Sequence, residues 1–153
     1  MIRILIIIVE EFWTKFFFLN TYDISWIFIY SSYPVSGKFT DKQKVIYNAV
    51  WRATKAVLTS AKPGVAWPDM HLLANREVLL SLLEAGILKG DINEMMAVNL
   101  AGRVFQPHGL GHFMGMDVHD VGGYLEGHPD RRQGPGLRNL RTARVLQVIH
   151  KGG

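Results

Sequence analysis

The run from Pro107 to Asp120 constrains this chain more than any other stretch. It holds three of the six histidines, His108, His112 and His119, within twelve residues. Gly109, Gly111 and Gly115 separate them, and Gly122 and Gly123 follow. A helix would put residues four apart on one face, but each interior glycine weakens a helix by roughly 1 kcal/mol relative to alanine. The stretch therefore reads as an extended, glycine-loosened segment and not as a helical His-x-x-x-His zinc site. Glycine allows tight backbone paths and close approach to a ligand. Imidazole is a common metal ligand and the side chain best suited to proton transfer near neutral pH. Two readings are open from the residues alone: imidazoles gathered at a reactive locus, or histidines that hydrogen-bond within a turn-rich loop.

The rest of the composition narrows the class. At 153 residues the chain fits one domain or a large piece of one, and 48% hydrophobic content is ample for a buried core. There is no cysteine, which excludes disulfides and thiolate metal sites. The net charge of +4 is a mild excess, scattered until Arg131, and does not argue for nucleic acid. No apolar run approaches the ~20 residues that span a bilayer. Ile2 to Val9 has a basic start at Arg3, but Glu10 and Glu11 stand where a signal peptide would have small residues. Residues 1–30 are rich in Ile and Phe, with bursts at Phe16–Leu19 and Trp26–Tyr30. They read either as buried strands or as a divergent segment outside the domain.

Scaffold elements follow in order. Thr40 and Gln43 have capping-box spacing, with Asp41 at the positive end of a helix. Ile46, Val50, Ala53, Val57 and Ser60 form its expected apolar stripe, with Tyr47, Ala49 and Ala56 broadening it. Lys42, Lys44, Arg52 and Lys55 are assigned to solvent, and Pro63-Gly64 ends the helix. A second helix begins near Pro68 and Asp69, presents Met70, Leu73, Ala74, Val78, Leu79, Leu82 and Leu83, and stops at Gly86. His71 within it is expected as a surface or hydrogen-bonded residue. A shorter helix is expected from Asp91 to about Leu100, with Met95 and Met96 filling core gaps. Arg131 to Gly136 reads as a basic turn, and Arg138, Arg141 and Arg144 recur every three residues.

The run from Pro107 to Tyr124 resembles the signature of the prolidases, the Xaa-Pro dipeptidases of the pita-bread metallopeptidase family. Pro135 to Arg144, Tyr33 to Thr40 and Lys62 to His71 match the same family in order, so the likeness covers roughly residues 31–146. The resemblance implies an α+β chain, part of a pita-bread (creatinase/aminopeptidase-like) fold. Its helices pack on a curved, mostly antiparallel sheet that is incomplete at both ends. Residues 1–30 would be a divergent apolar segment, 31–146 a partial metallopeptidase domain and 147–153 a divergent tail.

The family holds two divalent ions, typically manganese, on two Asp, one His and two Glu. A bridging hydroxide attacks the carbonyl before proline in substrates of the Xaa-Pro dipeptide class. By resemblance His112 is the metal ligand, His119 the catalytic and substrate-contacting histidine, and His108 the supporting catalytic histidine. Arg141 receives the substrate carboxylate, a task suited to its planar fork of donors.

Aligned on Gly37 to Thr40, the two aspartate ligands fall at Phe17 and Phe28. Asp23-Ile24-Ser25 lies five residues out of register, with Phe12 eleven residues before it. The two glutamates belong beyond residue 146, so of the five ligands His112 alone is matched. The upstream substrate-site histidine is also missing. The expectation is a cytoplasmic, fragmentary hydrolase relative, inactive by itself, with homodimerisation or docking on a full-length relative as a non-catalytic alternative.

Overall fold

The computed structural model describes residues 14–16, 32–62, 65–111, 130, 132–135 and 137. Two short strands, β1 (Thr14–Phe16) and β2 (Ser32–Pro34), pair antiparallel with Thr14 opposite Pro34. Three helices follow: α1 (Asp41–Ser60), α2 (Trp67–Glu84) and α3 (Ile92–Ala97). A π-helical turn, Ala101–Phe105, comes after them. Among the described residues this is a pair of long packed helices with a two-stranded ladder. The wider curved sheet implied by resemblance lies outside them.

The first helix starts where its sequence dictates. Gln43 N–H donates to Thr40 Oγ1 at 3.3 Å, and the Thr40 N–H donates to Gln43 Oε1 at 2.9 Å. This reciprocal box satisfies two donors that a helix start otherwise leaves open. The buried stripe is a narrower part of the one the periodicity predicts. Ala49, Ala53 and Val57 face the core, whereas Ile46 and Tyr47 are exposed. α1 packs along α2, and small side chains allow close approach of the two backbones. The alanines therefore take the interface, and the larger residues rotate outward.

α2 begins at Trp67, with Pro68 in its first turn, where the missing N–H costs nothing. Its end is a full Schellman motif. Gly86 adopts φ +71°, its N–H donates to Leu83 O at 2.9 Å, and Ile87 N–H donates to Leu82 O at 3.0 Å. Met70, Ala74, Val78, Leu79 and Leu82 are buried, as expected. His71, Asn75 and Ser81 are buried too, so α2 is enclosed on more sides than a surface helix. Arg52 of α1 reaches Glu84, with a second contact at 3.3 Å, and Glu77 at 3.6 Å. These carboxylates, above all Glu84, raise the Arg52 pKa above its ordinary value.

The expected third helix is shorter than its sequence suggested. Asp91 caps it through bonds to Asn93 N–H (2.8 Å) and Glu94 N–H (3.1 Å). Asn99 then takes φ +52°, a left-handed conformation that Asn tolerates, and this ends the regular helix. Met95 is buried with Leu79 and Ala101, while Met96 packs at the edge of that cluster.

Candidate functional site

The histidine segment is reached through the π-helical turn. Gln106 N–H donates to Ala101 O at 2.7 Å, skipping one residue relative to an α-helix. Single π turns of this kind concentrate at functional sites. Phe105 packs against both hydrophobic clusters, that of α1 with α2 and that of α2 with α3. The chain then leaves the helical layer at a fixed point, and Gln106, Pro107 and His108 follow.

Leu110 anchors what comes next. It is fully buried among Val57, Trp67, Met70 and Leu82. Leu137 enters the same cluster from the far side of the segment. Each leucine lies within a matched motif, one running into His112 and the other towards Arg141. Leu110 and Leu137 therefore meet one patch of the α1–α2 pair. An ion pair between Arg132 and Asp69 adds a polar tie to the first turn of α2. A turn closes here, with Leu137 N–H donating to Gly134 O at 3.2 Å. This agrees with the turn expected from sequence.

His108 is partly buried. Its Nδ1 lies 3.0 Å from the carbonyl oxygen of Gly109. A carbonyl can only accept, so this bond requires a proton on Nδ1. In the neutral ring Nε2 is then the acceptor nitrogen. Nε2 is buried and has no partner among the described residues. Gly111 adopts φ +128°, a conformation that explains a glycine at this place in the segment. His112, His119 and Arg141 lie outside the described residues, as do the Phe17 and Phe28 positions.

Two buried polar groups carried no signal as site residues in the sequence. Gln106 is buried, and its Nε2 has no partner among the described residues. Its place between Phe105 and Pro107 made it look like ordinary loop. His71, expected at the surface or hydrogen-bonded, is buried, with Nε2 3.2 Å from Asn75 Nδ2. The pair is four residues apart on one face of α2.

The pattern of Metallopeptidase family M24 matches residues 20–147, and the chain belongs to that family. It is 58% identical over 116 residues to the Xaa-Pro dipeptidase of Rattus norvegicus and 58% identical over 116 residues to that of Homo sapiens. In each case the match covers 76% of this chain and 23% of the relative. The chain thus spans about a quarter of the length of the curated relatives it matches. Among solved structures it is similar to the aminopeptidase PepP of Pseudomonas aeruginosa, at 32% identity and a TM-score of 0.61, covering 77% of this chain and 24% of that one. Proline aminopeptidase P II of Yersinia pestis is similar at 35% identity and the same TM-score, with 77% and 24% covered.

Membership implies a divalent metal cofactor. The donor set of this chain does not fit a two-ion centre. By the resemblance the two aspartate positions fall at Phe17 and Phe28, and a phenyl ring offers no lone pair to a hard cation. Among the described residues no group of three or more metal-ligating side chains comes together.

Proposed function

We propose that this chain is a partial, catalytically silent relative of a manganese-dependent Xaa-Pro dipeptidase, with residues 31–146 as its domain. One observation carries the reading: the matched histidine and arginine motifs are retained while Phe17 and Phe28 replace both aspartates. The likeness to Xaa-Pro dipeptidases supports the ancestral substrate, a dipeptide with C-terminal proline. In that reading His112 is the one retained metal ligand, His119 and Arg141 face the substrate, and His108 supports them. In the same reading the fold is α+β pita-bread, with helices on an antiparallel sheet, and the compartment is the cytoplasm.

A lone imidazole holds a divalent ion weakly, and second-shell groups tune ligands without replacing them. The test is hydrolysis of Gly-Pro by the purified chain with added Mn²⁺. No turnover above a metal-only control is expected, and turnover at a metallopeptidase rate would overturn the reading. A second reading, a non-catalytic module that pairs with itself or with a full-length relative, draws support from large apolar side chains exposed on α1. Co-expression with a full-length relative and size-exclusion chromatography separate it from the first.

A further inference from the structure

Residues 106–110 alternate in the manner of an extended segment. Gln106 and Leu110 are 4% and 0% exposed and His108 is half-buried, whereas Pro107 stands in solvent. Alternate residues of an extended chain point to one side, so Gln106, His108 and Leu110 share the inner side of the segment. Leu110 is satisfied there by the apolar side chains of α1 and α2. The two polar members are not. Gln106 Nε2 and His108 Nε2 are both sealed from solvent with no hydrogen-bond partner among the described residues. Native folds seldom leave such atoms unpaired, because each forfeits its bonds to water.

The two atoms are complementary. An amide nitrogen donates. His108 Nδ1 donates to Gly109 O at 3.0 Å, so Nε2 of the neutral ring accepts. The reversed amide would turn Gln106 Oε1 inward, an acceptor beside an acceptor. The backbone between them is held at both places. Gln106 N–H closes the π turn on Ala101 O at 2.7 Å, and the Pro107 ring fixes its own φ. Two residues of chain separate α-carbons by at most about 7 Å, a span that one small group can bridge.

We propose that Gln106 is a positioning residue for His108. It acts through one internal water that accepts from Gln106 Nε2–H and donates to His108 Nε2. The bridge must accept on one side and donate on the other, and this selects its chemistry. A carboxylate or phosphate only accepts, an ammonium only donates, and a metal ion cannot take an amide N–H. A larger hydroxyl compound has no path to two atoms that solvent does not reach. Water makes both bonds at small cost, and it holds the imidazole in the Nδ1–H tautomer from the side opposite Gly109. The proposal deepens the reading of His108 as a supporting histidine and rests on it for the use of the held ring. Gly-Pro hydrolysis tests that reading, and ring spectroscopy tests this one.

Long-range nitrogen spectra of the histidines are recorded on the intact chain at neutral pH, with the His108 signals assigned by their loss in His108→Phe. The Nε2 signal is expected where a ring nitrogen that accepts a hydrogen bond falls. The Gln106 side-chain protons are expected to show a cross-peak to a long-lived water. Gln106→Met keeps the length and burial of the side chain and removes the donor. In it the Nε2 signal moves towards an unbonded ring nitrogen, and the minor tautomer grows at least about threefold. A purely space-filling glutamine would leave the ring signals of Gln106→Met as in the parent, which would overturn the proposal. The parent alone can also overturn it, through an unbonded or protonated Nε2, a missing water cross-peak, or a scalar coupling that shows Gln106 bonded to His108 directly.

Discussion

Leu110 and Leu137 are both buried in the α1–α2 cluster, so each ties its own stretch of chain to the scaffold. Truncating a fully buried leucine removes its transfer free energy and leaves a cavity. Leu110→Ala is expected to destabilise the chain by about 2–5 kcal/mol in urea unfolding. A loss below about 0.5 kcal/mol would show that the segment is not anchored there. At His108 the Gly109 carbonyl dictates the tautomer. Nitrogen NMR shifts of the neutral ring should report a protonated Nδ1 and a bare Nε2, and the reverse pattern would contradict the bond at 3.0 Å.

The helices owe their limits to a few terminal residues. Thr40 and Gln43 exchange side-chain and backbone bonds, so Thr40→Ala should cost about 1 kcal/mol in the same unfolding experiment. Gly86 illustrates a different cause. A methyl group there would meet nothing within 4 Å, so the cost of Gly86→Ala comes from its φ of +71° and not from a clash. About 1 kcal/mol is expected, and a neutral effect would mean that the cap relaxes. Gly102 is the reverse case, where an added Cβ would sit 2.4 Å from Asn99 Nδ2. The Asn99 side chain must move before any residue larger than glycine fits. The surface network of Arg52 with Glu84 and Glu77 joins α1 to α2, but exposed pairs of this kind contribute at most about 1 kcal/mol.

At the scale of the whole molecule the proposed loss of the two aspartate donors has a thermal signature. Metal that binds only the folded state raises the melting temperature by mass action, by several degrees once its concentration is about a hundredfold above Kd. Millimolar Mn²⁺ is expected to leave the melting temperature of this chain unchanged, and a clear rise in differential scanning calorimetry would show a site that Phe17 and Phe28 do not abolish. The sequence by itself determined the cap of α1, the Gly86 stop of α2 and the family signature, because capping and turn chemistry depend on residues within a few positions of each other. It placed Ala49, Ala53 and Val57 in the stripe of α1 without telling them from the exposed Ile46 and Tyr47, and it left the burial of His71 and Gln106 unseen. Periodicity locates an apolar stripe, but packing selects which part of it meets a neighbour. Only the tertiary structure decided which part of that stripe is buried, Ala49, Ala53 and Val57, and which is exposed, Ile46 and Tyr47. Only it brought Leu110 and Leu137, distant in sequence, into one cluster, since burial of apolar surface is non-directional and indifferent to separation along the chain.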